Sequence, residues 1–148
     1  MNAFNSMNIT SSALSAQRLR MDVVSSNMAN AESTRAQFVN GEWQPYRRKM
    51  VVLQPQNQFS TFLKQAMNTN QSGDGVAVSK IVEDRSPFKL VFDPSHPDAN
   101  EDGYVEMPNV DPLREMVDLI SSTRSYEANV TVLNATKGIM MKTLEIGK

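Results

Sequence analysis

The chain has 148 residues, about the length of one domain with a single modest core. Its formal net charge of -1 argues against nucleic-acid binding, because proteins that bind nucleic acid need excess positive charge to displace counterions. Hydrophobic residues make up only 40% of the chain, so part of the surface is expected to be buried against other chains. No run approaches the ~20 apolar residues that span a bilayer, and residues 1–8 lack the features of a cleaved signal peptide.

The first predicted element is an amphipathic helix that begins between Phe4 and Ser12 and ends near Ala31. Apolar side chains recur at every seventh position of this segment, at Met7, Leu14, Met21 and Met28. A seven-residue repeat keeps one face of a helix toward a partner helix, which is the pattern of a coiled coil. The segment is therefore expected to pair with a second helix.

The middle of the chain is punctuated by Pro and Gly and is predicted to form short strands, over residues 50–53, 76–81, 88–92 and 104–105. Asn40-Gly41 is a turn signal ahead of them. Residues 54–75 are rich in Gln and Asn and are predicted to form a polar linker. Within the linker, apolar residues at helical spacing predict one short amphipathic helix over residues 59–67.

A second long helix has the clearest start signal in the chain. Asp111 can cap it, and Pro112 suits the first helical position, where a missing N–H costs nothing. Glu115 and Asp118 then place negative charge near the positive end of the helix. Apolar residues continue at three- and four-residue steps as far as Leu144. The helix is therefore expected to occupy most of residues 111–148.

Together these elements predict an α+β fold, with long N- and C-terminal helices paired in a coiled-coil-like helical domain and a small β-rich insert between them. The predicted boundaries place the first helix in residues 1–38, the β-rich insert with its linker in 39–110, and the closing helix in 111–148. The two end segments together form the helical domain.

Three short patterns resemble catalytic, metal-binding or nucleic-acid-binding motifs. Residues 98–103 match the opening of a calcium-binding EF-hand loop, but Asn109 occupies the twelfth position, where a bidentate Glu is required. His96 stands beside Ser95 and Asp98, and adjacent residues cannot reach the geometry of a hydrolytic triad. The trio at 47–49 is basic but short, so an exposed strand edge kept from aggregating by charge is the favoured interpretation. We therefore expect no enzyme activity, no metal and no cofactor.

Both ends of the chain resemble the axial proteins of the bacterial flagellum, which build its rod and hook. The stretch SSALSAQRLRMDVVSSNMANAEST (11–34) is similar to the N-terminal signature of this family. The stretch PNVDPLREMVDLISSTRSYEANVTVLNATKGIMMKTLEIGK (108–148) is similar to its closing helix. Two inner stretches, QPYRRKMVVL (44–53) and SPFKLVFDPSHPDANEDGYV (86–105), resemble the short members of the family that form the proximal rod.

The resemblance implies a structural subunit that polymerises, with copies of itself and other rod proteins, into the shaft that transmits torque from motor to hook. It further implies export through the flagellar secretion apparatus without a cleaved signal peptide, and assembly in the periplasmic part of the basal body. No nucleic acid, membrane insertion or small-molecule substrate is expected. The alternative from another class is a soluble coiled-coil adaptor or scaffold protein that presents a small β insert to a ligand. The adaptor would form a closed oligomer, whereas a rod subunit forms open polymers.

Two sets of residues are expected to carry the assembly. The apolar seam between the helices is predicted to be formed by Leu14, Met21, Val24, Met28, Met116, Ile120, Val130, Leu133, Met140 and Leu144. Polar contacts that fix the register of the helices or join neighbouring subunits are predicted at Asn27, Asn30, Arg124, Tyr126 and Asn129. A few polar groups at a helical interface can specify its register, although they weaken it.

Overall fold

The computed structural model describes residues 3–39, 41–56 and 75–146. These residues form two long helices, α1 (Ala3–Ala29) and α2 (Pro112–Ile146). Between the helices lie six short strands: β1 (Gln37–Val39), β2 (Glu42–Gln44), β3 (Lys49–Pro55), β4 (Val76–Glu83), β5 (Lys89–Phe92) and β6 (Tyr104–Met107). The α+β class and both terminal helices are confirmed, whereas coiled-coil pairing of the helices stays a prediction. In the described ranges, no helix is long and apolar enough to cross a membrane.

The strands pair as three two-stranded sheets, β1 with β2, β3 with β4, and β5 with β6. β3 to β6 confirm the four predicted strands to within a few residues. The pair β1–β2 was not predicted, although the turn signal at 40–41 joins its strands. Gly41 has a φ of 94°, in the left-handed region that side chains other than glycine rarely adopt. The predicted helix at 59–67 lies outside the described residues.

The chain divides into two compact units, and each long helix contributes to both of them. One unit comprises Met1–Met21, Val51–Lys80 and Ser121–Lys148, and the other comprises Asp22–Met50 and Ile81–Ile120. Among the described residues of the second unit, the buried apolar side chains are few and mostly small, namely Val23, Val24, Pro45, Tyr46, Val105, Pro108 and Val110. The predicted domain boundaries, at 38/39 and 110/111, divide the chain into successive segments of sequence. They stay a prediction.

The predicted cap of the closing helix is present. The Asp111 carboxylate accepts a hydrogen bond from the Leu113 N–H at 3.1 Å, and the Asp111 carbonyl accepts one from the Glu115 N–H at 3.0 Å. These bonds satisfy donors that the first turn of a helix leaves without an intrahelical partner. The cap therefore sets the residue at which α2 begins.

In the first unit, Ser12 joins α1 to the start of β4. Its hydroxyl donates to the Ile9 carbonyl at 2.7 Å and accepts from the Val76 N–H at 3.0 Å. Gly75 lies against this hydroxyl so closely that a Cβ atom there would be 2.6 Å from Ser12 Oγ and 2.7 Å from Gln56 Oε1. The junction therefore depends on the absence of a side chain at residue 75.

Two alanine substitutions are expected to change stability in opposite directions. Gly75→Ala should lower the free energy of unfolding by about 1–3 kcal/mol, because the added methyl group must displace Ser12 Oγ from its two hydrogen bonds. Gly138→Ala should raise it by roughly 0.5–1 kcal/mol, because nothing lies within 4 Å of the added carbon and alanine favours the helix. Urea denaturation of the two variants measures both effects. Equal shifts of the same sign would contradict this account of the junction.

Candidate functional site

A buried carboxylate, Glu115, joins three distant segments of the chain within the second unit. Glu115 lies in the first turn of α2 and is 0% exposed. Its Oε1 accepts a hydrogen bond from Arg48 Nε at 2.6 Å, and its Oε2 accepts one from Asn27 Nδ2 at 2.9 Å. Asn27 belongs to the last turns of α1, and Arg48 directly precedes β3. One carboxylate therefore holds the ends of both helices and the sheet region together.

Asn27 is itself fully buried, and its side-chain amide is fully engaged. Besides Glu115, Nδ2 donates to the Lys49 carbonyl at 2.9 Å. Oδ1 accepts from the Lys49 N–H at 2.9 Å and from the Tyr46 hydroxyl at 3.1 Å. An amide that bonds a backbone residue through both its donor and its acceptor fits only one position along that backbone. The geometry of Asn27 is thus suited to fixing register, and that predicted role stays a prediction.

The interpretation of residues 47–49 as an exposed basic edge is wrong for Arg48, which is 9% exposed. Its guanidinium also approaches Asp118 Oδ2 at 3.4 Å and Asp84 Oδ2 at 3.8 Å. Arg47 and Lys49 behave differently: the Arg47 guanidinium lies 4.3 Å from the centre of the Phe88 ring, and both residues are partly exposed. Side chains alternate between the two faces of an extended segment, and this alternation was the signal that could have singled out Arg48.

A second polar contact ties the loop between β5 and β6 to the segment that follows α1. The Asp98 carboxylate accepts hydrogen bonds from Arg35 Nε at 2.6 Å and from Thr34 Oγ1 at 2.8 Å. The hydrogen bond from Arg35, followed by that from Thr34, holds the pKa of Asp98 below its usual range. The same carboxylate raises the pKa of Arg35. Asp98 therefore anchors the loop through its ionised form.

Within this loop, the polar side chains bond their own backbone, as turn residues do. His96 Nδ1 accepts from the Asp98 N–H at 3.1 Å, and Asn100 Oδ1 accepts from the Tyr104 N–H at 2.8 Å. In the part of the chain that the structure describes, no group of three or more His, Asp or Glu side chains could hold a metal ion.

The residues predicted to form the helix seam differ widely in exposure. Val24 is buried, and six others are half-buried: Leu14, Met21, Met28, Val130, Leu133 and Met140. Met116, Ile120 and Leu144 are exposed, so in the single chain they are available to other molecules. In the first unit, Met21 Sδ lies 3.5 Å from the Thr123 hydroxyl of α2. The seam as a whole stays a prediction.

The remaining predicted polar residues make local contacts or face solvent. Asn30, which directly follows α1, donates through Nδ2 to the Ser26 carbonyl at 2.9 Å, and Asn129 Nδ2 donates to the Ser125 carbonyl within α2 at 2.8 Å. Tyr126 is half-buried and Arg124 is exposed. Of the five predicted polar residues, the structure therefore places Asn27 in the buried network. The two charged members of the network, Glu115, which bonds Asn27, and Arg48, which bonds Glu115, were missed.

Removal of the buried carboxylate is expected to destabilise the protein far more than removal of an exposed one. Glu115→Ala leaves the Arg48 guanidinium buried without its closest partner and should cost about 3–5 kcal/mol of unfolding free energy. The matched control is Glu145→Ala on the same helix, where the exposed pair with Lys142 at 2.7 Å is worth less than about 0.5 kcal/mol. Chemical denaturation measures the difference. Similar losses for the two variants would show that the network contributes little.

The anchor at Asp98 predicts a pH dependence with a definite sign. A folded-state pKa below the unfolded value of about 3.9 contributes stability that is complete above that value. The contribution is lost as the pH falls through the lowered folded-state pKa. The stability difference between the unmodified chain and Asp98→Asn should therefore be constant near neutral pH and shrink in acid. Asp102→Asn, at an exposed position of the same loop, is the control. A difference that grows in acid would contradict the assignment.

Two family models match the N-terminal and C-terminal parts of the chain, which contain the two long helices. The model described as "Flagella basal body rod protein" matches residues 7–37. The model described as "Flagellar basal body rod FlgEFG protein C-terminal" matches residues 101–146. The second match includes Glu115 and all of α2, and the first includes Asn27.

Full-length relatives carry one common name, "Flagellar basal-body rod protein FlgC". The relative from Bacillus subtilis (strain 168) is 65% identical over 150 residues, with 100% of both chains covered. That from Yersinia enterocolitica is 47% identical over 148 residues, again with 100% of both chains covered. That from Salmonella typhimurium (strain LT2) is 42% identical over 144 residues and covers 97% of each chain. By this identity over its whole length, the chain belongs to the FlgC family of flagellar basal-body rod proteins.

Proposed function

We propose that this protein is a structural subunit of the flagellar basal-body rod, and that it polymerises there with copies of itself and with other rod proteins. The observation that carries the proposal is the full-length similarity to relatives that are named for this structure. The family is structural, so the protein acts through its shape and its contacts rather than through a reaction. No cofactor enters this function.

The finer parts of the proposal concern place and route. The subunit belongs to the proximal part of the rod, where it helps to transmit torque from motor to hook. It reaches the periplasm through the flagellar export apparatus, without a cleaved signal peptide. This route is supported by the motifs at both ends of the chain, which are the same motifs that resemble the flagellar axial proteins.

The distribution of apolar side chains supports an assembling subunit. Large apolar residues are exposed along α2, at Leu113, Met116, Val117, Ile120, Val132, Ile139, Met141, Leu144 and Ile146. Four of them, Leu113, Met116, Val117 and Ile120, follow helical spacing and form one stripe, and exposed apolar surface of this kind is typical of an interaction site. Two contacts support the helix pairing that we propose, Met21 with Thr123 in the first unit and Asn27 with Glu115 in the second. A soluble adaptor with a closed coiled coil is not favoured by any of these observations.

Complementation of Bacillus subtilis that lacks its own FlgC tests the proposal. The intact chain should restore swimming and basal bodies with rods, because the two proteins are 65% identical over their whole lengths. A chain that ends at residue 111 should restore neither, because it lacks α2 and therefore Glu115. The control is Lys142→Ala, which removes an exposed side chain of α2 and should behave as the intact chain does. Electron microscopy of basal bodies and motility in soft agar provide the measurements.

Normal cellular levels of the intact chain without rods would overturn the proposed function. So would normal rods and motility in cells that contain only the chain ending at residue 111. Immunoblotting of the cell extract separates these outcomes from simple loss of the protein.

A further inference from the structure

The β5–β6 hairpin presents an unusual face to solvent. Paired residues of an antiparallel hairpin lie on the same face, so Leu90 with Glu106 and Phe92 with Tyr104 form one face. All four are exposed, Leu90 by 64% and Phe92 by 63%. The opposite face contains Val105, which is 2% exposed and faces the core of the second unit. The solvent side of such a hairpin is normally polar, whereas here three of the four side chains are apolar or aromatic.

The charge on this hairpin face is acidic. Glu106 lies on the face itself, and Glu101 and Asp102 are exposed in the loop that joins the two strands. Phe92 and Tyr104 meet edge to face, with ring centres 5.2 Å apart, so the apolar part of the surface is preformed. We define the hairpin face as Leu90, Phe92, Tyr104 and Glu106.

The first turns of α2 present a second exposed apolar surface within the same unit. We define this stripe as Leu113, Met116, Val117 and Ile120, which follow helical spacing and are all exposed. The acidic residues of these turns already have partners: Asp111 caps the helix, and Glu115 and Asp118 both bond Arg48. Arg114, next to Leu113, is the exposed basic residue of the same turns.

From these two surfaces we infer that the hairpin face of one subunit docks on the α2 stripe of a second copy of this chain. The contact joins apolar to apolar surface and places Glu106 of one copy near Arg114 of the next. Both surfaces are exposed in the single chain, so each is free to receive the other from a neighbouring copy. Such complementarity gives an interface its specificity and orientation.

The contact is head to tail, because two different surfaces of the chain meet. After each subunit is added, one hairpin face and one α2 stripe remain free at the two ends of the assembly. Contacts of this type extend into an open helical assembly when the rotation does not close a ring. The inference rests on the proposed function and deepens it, since it assigns one contact between copies within the rod. It also distinguishes this chain from an adaptor, which would pair identical surfaces.

Disulfide cross-linking in assembled basal bodies tests the contact, and the chain is suited to it because it contains no cysteine. A variant with both Leu90→Cys and Val117→Cys should form a ladder of covalent multimers in oxidised basal bodies isolated from complemented cells. The single variants Leu90→Cys and Val117→Cys should not form the ladder, because each lacks one half of the pair. The matched control joins Leu90→Cys with Thr131→Cys, which is an exposed position further along α2.

Charge reversal provides an independent measurement on the double-cysteine chain. Glu106→Arg alone and Arg114→Glu alone should each lower the multimer yield by about tenfold, because each places like charges together. The two reversals combined should restore the yield. Motility of every strain is recorded beside the cross-linking.

The possible outcomes distinguish a failure of the proposed contact between copies from a failure of the proposed function in the rod. Intact rods and motility without a ladder would overturn the contact and leave the proposed function standing. A ladder in the control pair, or cross-links from the double-cysteine chain to a different rod protein, would also overturn docking on a second copy. Loss of rods even with the unmodified chain would overturn the proposed function itself.

Discussion

The buried Glu115 carboxylate is the constraint on which the second unit depends. A buried carboxylate is costly unless it is paired and its oxygens are hydrogen-bonded, and here each oxygen has a partner, Arg48 for one and Asn27 for the other. Those partners come from positions far away in the sequence. The carboxylate is therefore stable only when the end of α1, the start of β3 and the start of α2 arrive together, so folding of the two terminal helices is coupled.

The apolar core around this network is small. Its fully buried members are mainly valines, and removal of their side chains from water yields only about 1.5–3 kcal/mol each. At the same time, long stretches of α2 leave apolar side chains exposed. Exposed apolar surface of this kind is suited to the assembly that we propose, in which neighbouring subunits would cover it. The polar network then specifies how α1, β3 and α2 come together, which a few valines do not do.

Local signals in the sequence predicted most of the fold, and long-range contacts account for what was missed. Asp111 and Pro112 predicted the start of α2 because capping depends on residues a few positions apart. Arg48 was misjudged because its burial depends on Glu115, 67 residues later. Asn27 was predicted as one of the polar residues that fix the register of the helices. Its partners could not be named, since helical spacing indicates which face is inside but not what lies opposite.

The network and the proposed docking surface are linked by the geometry of one helix. Successive residues of an α-helix are separated by about 100°, so Leu113 and Val117, two positions before and after Glu115, point about 200° away from it. Burial of Glu115 against Arg48 and Asn27 therefore turns the apolar stripe of α2 outward. The polar interior thus keeps the stripe exposed in the single chain, as the docking that we propose requires.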